Sequence, residues 1–503
     1  MTRAARWSPV VCLLSTFLAG AAGTVSFRKA LLRERLPSGA AAGVAPRAEE
    51  PSSAARPTSV SGAFLASAAT GVFRAVAIDY LWIRAMGLRE RGRFFEAQAL
   101  ARMVAELQPR LPSAWTFLAN SLAYDVTAAL PAEERYPWVL AGLELLLGPG
   151  LERNPQSPAI YREVSWIFYH KIGLDSDDAA PLYRSELARA FEAARDAPER
   201  AALLARWRID ARALRAIEAR WEAELDLRAA CAHALYWAEV GLRSSRLEDD
   251  RFSAAILRMA VPRAALQLAS RGRPLRAPGG RRYAFVPDLR FAPAIGRFLR
   301  ADLERFSRQP EVLEAVRRFY LEERARLVCS YFLFDRPSTA ARSYHEIFGE
   351  LSDAPPSVED FVLRSWEHFF LRAGGEREEA EDAGGRARLG LAACLTAAVY
   401  LDLAGAGDGA RGFRRLADLI LARSIRPNEL TPLPPVETFS RAVAARLAGR
   451  WTARPEVWEQ IPADVKALAE GSGPSAEELG LPEPVELPFG LEVLDPASGA
   501  REP

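Results

Sequence analysis

The chain of 503 residues is long enough for two or three domains, and its composition, 50% apolar and 26% charged residues, is that of a folded globular protein. Its 66 basic and 64 acidic residues leave a formal charge of +2, which argues against a nucleic-acid-binding protein that neutralises many phosphates. The 4 cysteines have no CxxC spacing and the 4 histidines have no second His or Cys one helical turn away. Neither a disulfide framework nor a metal site is therefore indicated.

Residues 1–35 have the layout of an export signal or a membrane anchor. Arg3 and Arg6 precede a mostly apolar run, Val10 to Val25, and adding Trp7 and Phe27 as interfacial residues brings this run to the length of a spanning helix. Basic residues directly after the run favour a retained single-span anchor, with a cleaved signal and a helix of a soluble protein as alternatives. We expect the bulk of the chain to lie outside the cytoplasm, in a bacterial cell envelope.

The segment after the anchor, residues 36–61, is rich in Ala, Pro, Ser and Gly and has almost no large apolar side chain. Such a segment cannot bury enough apolar surface to offset the entropy of ordering its backbone. We therefore predict a flexible tether between the anchor and the body of the protein.

From Phe64 onward, apolar residues recur with helical spacing and two-residue alternation is nearly absent, so the body is predicted to be all-α. Two of its segments share one register, in which a large residue is followed by apolar or small residues three, four and seven positions later. Each segment starts six residues after a proline, Pro109 or Pro155, that closes the preceding helix. The two sets are Trp115, Leu118, Ala119 and Leu122, and Tyr161, Val164, Ser165 and Phe168.

A helix pair precedes these two segments, with one apolar stripe that ends near Gly92 and a second that stops at Pro109. Ala97 and Ala101 let its two helices approach closely. This pair resembles a tetratricopeptide repeat (TPR), and in divergent form the resemblance extends to Pro198. It implies a TPR-like α-solenoid over residues 62–200, for which a plain helical bundle is the alternative. The three implied pairs span Tyr80–Pro109, Ser113–Pro155 and Pro158 to about Pro198.

Further helical repeats or a bundle are predicted over residues 201–450, and a C-terminal helix with a loosely ordered tail over 451–503. Residues 230–242 look like another first helix without a clear partner, and Pro278-Gly279-Gly280 predicts one small β-hairpin near 273–286. The glycine-rich stretch 405–412 follows a helical run and is predicted to be a loop. In the tail, Leu487–Leu494 is expected to dock on the body. Three aspartates, Asp175, Asp177 and Asp178, are interpreted as capping a helix N-terminus.

The first helices of TPR pairs line a concave face, so the resemblance implies a groove that binds a protein or peptide partner. Among its positions, Asn120 is of special interest, because an amide can bond both edges of an extended peptide backbone. In the register of Leu81, Trp115 and Tyr161, the groove positions are Trp82, Met86, Arg89, Thr116, Asn120, Tyr124, Arg162, Trp166 and Tyr169.

No catalytic residue, cofactor or metal ligand is predicted, since the chain has no GxSxG, no phosphate-binding glycine loop and no zinc-peptidase helix. The sequence therefore predicts a membrane-tethered, TPR-like scaffold or adaptor that binds a protein partner. One alternative is a helical envelope enzyme, for example one that acts on glycan through an acid pair. Another alternative is a permanent structural subunit of a membrane complex, which a large contiguous apolar surface would favour.

Overall fold

A computed structural model describes residues 74–194, 197–349, 355–373, 383–423, 433–484 and 487–496. Over these ranges the fold is all-α with one small antiparallel hairpin, as the sequence predicts. The predicted anchor and tether lie outside the described residues. Within the described ranges, no helix combines the length and the apolar character needed to cross a bilayer.

The first half of the described chain consists of helices joined by short turns, and three of these helices continue into a π-helical turn. The π-turns are Ser121–Val126 after α3, Leu146–Gly150 after α4 and Ile167–Ile172 after α6. The helices are α1 (Arg74–Glu90), α2 (Phe94–Leu107), α3 (Pro112–Asn120), α4 (Ala132–Leu145), α5 (Leu151–Arg153), α6 (Pro158–Trp166), α7 (Ala180–Ala193), α8 (Ala197–Arg206), α9 (Ala211–Trp221), α10 (Ala230–Ser244) and α11 (Arg251–Arg271).

Helices α3 and α6 are built alike. Each has a proline in its first turn, runs for 9 residues and continues into a 6-residue π-turn. Their aromatic residues make the same hydrogen bond, because Trp115 Nε1 donates to Pro109 O and Tyr161 Oη donates to Pro155 O, both at 2.9 Å. The register seen in the sequence therefore corresponds to a structural element that recurs, with its aromatic residue bonded to the loop before it.

Helix pairs form as predicted for α1 with α2 and for α3 with α4, and α3 also packs beside α6. The third pair differs from the prediction, since α6 packs mainly against α10 and α11 and α7 makes only a smaller contact with the π-turn after α6. Gly241 explains the close approach of α10, because a Cβ at this position would lie 2.5 Å from the Cβ of Tyr161. A side chain here would hold the two helices apart.

The partner of α10 is α11, which the sequence did not reveal. Helix α11 contains Pro262 in its interior, and a proline usually ends a helix because it lacks the backbone N–H. Buried residues on both sides of this proline keep the helix continuous along α10. Between α7 and α11, the chain forms three separate helices, α8, α9 and α10.

The second half of the described chain contains the hairpin, whose strands β1 (Arg273–Leu275) and β2 (Ala284–Val286) place Pro274 opposite Phe285. A 3₁₀ segment, Pro488–Leu494, closes this half. The helices are α12 (Ala292–Phe306), α13 (Pro310–Leu333), α14 (Pro337–Phe348), α15 (Val358–Ala373), α16 (Ala383–Leu403), α17 (Gly407–Arg423), α18 (Val436–Trp451), α19 (Pro455–Gln460) and α20 (Ala463–Ala469).

The glycine-rich stretch 405–412 is not a loop, since α17 begins at Gly407. Gly412 lies against α13, where any Cβ would overlap the backbone carbonyl of Leu333. Gly409 is also tightly packed, since a Cβ there would lie 3.0 Å from the Phe334 ring, so both glycines allow close helix contact. Position 405 is the turn, where Gly405 has a φ of +70°.

The C-terminal segment packs more closely than predicted. The 3₁₀ segment docks on α16, as expected, and Leu487, Leu491 and Leu494 are buried. Ala476 and Leu481 are also buried, so the described residues 470–484 after α20 pack against the body and are not a loose tail. One continuous apolar core extends from α1 to this segment.

Candidate binding face on the first helices

The nine predicted groove residues lie on α1, on α3 and α6, and on the π-turns that follow α3 and α6. We call this set the first-helix face. Side-chain contacts connect its helices in sequence, since the ring centroid of Trp82 on α1 lies 5.1 Å from that of Phe117 on α3. Asn120 on α3 in turn bonds Glu163 on α6. Side-chain contacts thus connect α1 to α3 and α3 to α6.

The part of the face on α1 is the most open. Met86 has 38% of its surface exposed, whereas Trp82 is half-buried against Phe117. Arg89 pairs with Asp125, with 2.7 Å between Nε and Oδ2, and its guanidinium lies 5.3 Å from the centroid of the Phe117 ring. Arg89 therefore joins α1 to the π-turn after α3 and is already neutralised by a carboxylate.

Thr116 and Asn120 are committed to contacts within the protein. Thr116 is 8% exposed, and its Oγ1 donates to Ser113 O at 3.2 Å, so it offers little surface to a partner. Asn120 Nδ2 donates to Thr116 O at 3.2 Å and to Glu163 Oε1 at 2.7 Å. Both partners are acceptors, which fixes the amide orientation. The Asn120 nitrogen is thus occupied, and only its carbonyl oxygen is left for an external donor.

Tyr124 lies on the π-turn after α3 and reaches towards α6. Its hydroxyl oxygen is 3.5 Å from His170 Nδ1, and the Lys171 Nζ lies 5.2 Å from the centroid of its ring. Burial raises the pKa of Tyr124 well above its usual value. The phenol is therefore neutral at physiological pH and acts as a packing and hydrogen-bonding group.

Helix α6 and its π-turn supply the aromatic centre of the face. Trp166 stacks on His170 with 4.6 Å between centroids and 14° between planes, and Tyr169 lies 6.0 Å from Trp166. Arg162 reaches α11 by donating to Ser253 Oγ at 3.1 Å and also bonds Glu163. These three predicted residues are all partly exposed.

Sequence reasoning did not single out Glu163, the carboxylate at the centre of this face. Its side chain is buried, with Oε1 bonded to Asn120 and Oε2 3.3 Å from Arg162 Nη2. Burial raises the pKa of Glu163, although Arg162 and Asn120 lower it in part. The spacing of apolar residues cannot predict a buried glutamate. Its burial is tolerated because a donor on the neighbouring helix bonds it, and the sequence does not show which helices are neighbours.

Behind the face, a buried ion-pair cluster fixes the loop between the π-turn of α6 and helix α7. Lys171 forms an ion pair with Asp177 and donates to Thr127 Oγ1 at 2.9 Å. Asp177 also accepts from Arg135 Nη1 at 2.8 Å and from Ala179 N at 2.9 Å. Asp177 therefore bonds the N–H of Ala179, the N-cap residue of α7, but no side chain caps the first turn of this helix. The predicted helix capping by the three aspartates is wrong, and Asp177 instead neutralises two cations.

The described residues give no sign of metal or thiol chemistry. None of their His, Cys, Asp and Glu side chains form a group of three or more that could hold a metal ion. Burial raises the pKa of Cys231 to about 12 and that of Cys329 to about 11, so neither thiol is an activated nucleophile. No protein-family model matches the chain, and no curated protein matches it either.

Proposed function

We propose that the protein is a membrane-tethered scaffold that binds a protein partner on the first-helix face, in a bacterial cell envelope. One observation supports this proposal: Met86 on α1, Trp166 on α6 and Tyr169 on the π-turn after α6 are all at least partly exposed. Asn120 on α3, between these helices in the sequence, bonds Glu163 on α6 and keeps its carbonyl oxygen without a hydrogen bond to the described residues. Partly exposed aromatic and methionine side chains combine apolar area with adaptable contacts, and they dominate the energy of many protein interfaces.

The charges of the face indicate what kind of partner it suits. Arg89 is paired with Asp125 and Arg162 with Glu163, so these two arginines are already neutralised. An acidic partner would have to compete with these carboxylates. We therefore favour a neutral polypeptide segment, with apolar side chains on Trp166 and Tyr169 and a backbone N–H donated to Asn120.

The TPR resemblance and the predicted anchor support the same proposal. Of the three helix pairs that the resemblance implies, the first two are present as packed helices. Helices α3 and α6 start 46 residues apart and share the same structure, a short helix followed by a π-turn. An anchor joined to the body by a tether would keep the face near the bilayer, which raises its effective concentration towards a membrane-bound partner.

The proposal can be tested by photo-crosslinking in the full chain in intact membranes. A photoreactive amino acid replaces Met86 on the face or, as the control, Phe348, which is 39% exposed on α14. We expect a discrete protein adduct from position 86 that is absent from position 348. The same adduct from both positions, or none from position 86, would contradict the proposal.

A second variant connects the adduct to the aromatic centre of the face. Combining the crosslinker at position 86 with Trp166→Ala and Tyr169→Ala should reduce the adduct at least several-fold while the protein stays folded by circular dichroism. Asn120→Ala is less suitable, because it also removes the donor that bonds the buried Glu163. An adduct of undiminished yield would place the partner elsewhere.

A further inference from the structure

The outer side of α1 carries a row of apolar residues that stays exposed. Val76, Tyr80 and Ile83 are 66%, 50% and 72% exposed, although valine and isoleucine are among the residues most often buried. Gly87 continues the row, and a Cβ at this position would meet nothing within 4 Å. We call these four residues the outer stripe. It lies opposite the side of α1 that packs into the core, which includes Ile78, Leu81 and Ala85.

The spacing of the outer stripe is that of a coiled-coil seam. Its residues follow one another at intervals of four, three and four positions, so Tyr80 and Gly87 hold heptad position a, and Val76 and Ile83 hold position d. A helix with this pattern packs against a second helix that presents the same pattern, because the heptad repeat keeps both seams in contact. A contiguous exposed apolar surface of this kind indicates an interaction site.

Two charged residues flank the outer stripe, one on each side. Asp79 holds position g and Arg84 holds position e, five residues later. Neither forms an ion pair within the described residues, and Arg84 Nη1 donates only to the neutral Tyr80 hydroxyl, at 3.2 Å. In a parallel coiled coil, a residue at g faces the residue at e five positions later on the other helix. Asp79 and Arg84 therefore have the signs and the spacing to pair twice across a parallel dimer, whereas antiparallel packing would place like charges on the same flank.

We propose that a second copy of the chain covers the outer stripe, in a parallel α1–α1 coiled coil with Asp79 of each copy paired to Arg84 of the other. Because Gly87 has no side chain, the two helices can approach closely at that end of the seam. None of the stripe residues belongs to the first-helix face, so this dimer does not depend on the proposed protein partner.

The position of α1 in the chain agrees with parallel packing. The helix begins at Arg74, and the predicted anchor precedes it. Two anchors in one bilayer would point both α1 helices in the same direction, as parallel packing requires. A seam of less than two heptads binds weakly by itself, and the shared membrane would supply the effective concentration that it needs.

Disulfide trapping in intact membranes tests the dimer. Val76→Cys and Ile83→Cys are made separately in the full chain with Cys12→Ala, and the membranes are treated with a mild oxidant. We expect a disulfide-linked homodimer from each variant, because a parallel seam places each d residue beside the same residue of the other copy. Phe252→Cys, at an exposed position on α11, is the control and should give at least tenfold less homodimer.

The other outcomes of the trapping overturn the proposal. Positions 76 and 83 are about 10 Å apart along the helix, so antiparallel packing would trap at most one of them. No homodimer from either position is the result expected if a bilayer or a different protein covers the stripe. Equal yields from the control would show that the disulfides come from random collision.

Charge exchange tests the pairing of the flanks, with the yield of the Ile83→Cys homodimer as the readout. Asp79→Arg and Arg84→Asp should each lower this yield several-fold, because each places like charges against one another across the dimer. The double variant should restore most of the yield, since it exchanges the two charges and keeps the net charge. Circular dichroism checks that all variants are folded. Single variants with an unchanged yield, or a double variant without recovery, would contradict the parallel pairing.

Discussion

Glu163 shows how one residue sets the properties of the first-helix face. Its carboxylate is buried between α3 and α6, and it is held by one neutral donor and one arginine that is partly exposed. Because burial raises the pKa of Glu163, the folded protein binds a proton there more readily than the unfolded chain does. The stability that comes from protonation is present at low pH and is lost as the pH rises through the folded pKa.

Glu163→Gln removes this buried charge and keeps an acceptor for Asn120. We expect the variant to be more stable than wild type by about 1 kcal/mol at neutral pH, with the difference vanishing as the pH falls below the folded pKa of Glu163. Urea unfolding over a series of pH values measures this difference. Glu133→Gln, an exposed glutamate on α4, is the control and should change little. A difference that does not depend on pH would rule out this account.

Asp177 has a different role, because removing it leaves a buried cation without its counter-ion. We expect Asp177→Asn to lower the free energy of unfolding by about 3 kcal/mol, since Lys171 is buried. Asp178→Asn is the matched control, because the Asp178 side chain is 77% exposed and should matter by less than about 1 kcal/mol. Adding Lys171→Met to Asp177→Asn should restore part of the stability. Equal losses from the two single variants would contradict the assigned role.

At the level of single residues, the sequence indicated which positions share a face, but not what their side chains bond. The register placed Thr116 and Asn120 on one side of α3, and Arg162 and Trp166 on one side of α6, because helical spacing is a local property. That the two sides form one face is an implication of the TPR resemblance. That Asn120 Nδ2 is occupied by Glu163 depends on the distance between α3 and α6, and nothing local encodes that distance.

At the level of elements, the contact of α17 with α13 depends on a glycine. Gly412→Ala would push a methyl group into the backbone of Leu333, and we expect a loss of about 2 kcal/mol in the free energy of unfolding. Gly449→Ala on α18 is the opposite case, because a Cβ there meets nothing within 4 Å. This variant should gain about 0.5–1 kcal/mol from helix propensity. Urea unfolding measures the free energy of unfolding of both variants. If both substitutions change it in the same direction, the contact of α17 with α13 is not the cause of the loss at Gly412.

Element boundaries were predictable where turn-forming residues marked them, as for the end of α2 before Pro109 and for the hairpin turn at Pro278-Gly279-Gly280. The stretch 405–412 was predicted wrongly because glycine disfavours both a helix interior and a strand, and local propensity therefore predicts a loop. The contact with α13 outweighs this propensity, since only a residue without a side chain allows the two backbones to meet.

At the level of the whole molecule, the C-terminal segment closes the core. It buries Leu487, Leu491 and Leu494, and burying each such side chain is worth about 1.5–3 kcal/mol. Deleting residues 472–503 should therefore lower the Tm by at least about 5 °C, measured by differential scanning calorimetry. Deleting only residues 497–503 is the control and should leave the Tm unchanged. A similar Tm for both truncations would mean that this segment adds no stability.

The third helix pair is the largest difference between the predicted and the observed architecture. The sequence pairs α6 with the next helix along the chain, as in a regular repeat, but α6 packs on α10 and α11. Gly241 permits this contact, and it lies about eighty residues from α6 in the chain. Pairing between such distant segments follows from the fit of their surfaces, which periodicity does not report.

The sequence by itself determined the helical class, the hairpin at Pro278-Gly279-Gly280 and the register shared by α3 and α6. Each of these depends on residues a few positions apart, where backbone geometry makes spacing informative. Only the tertiary structure decided which helices cover α6, that Asn120 and Glu163 bond one another, and that α17 meets α13 at Gly412. An apolar stripe predicts that one face of a helix is buried. Which segment buries it depends on packing between parts of the chain that are far apart in sequence.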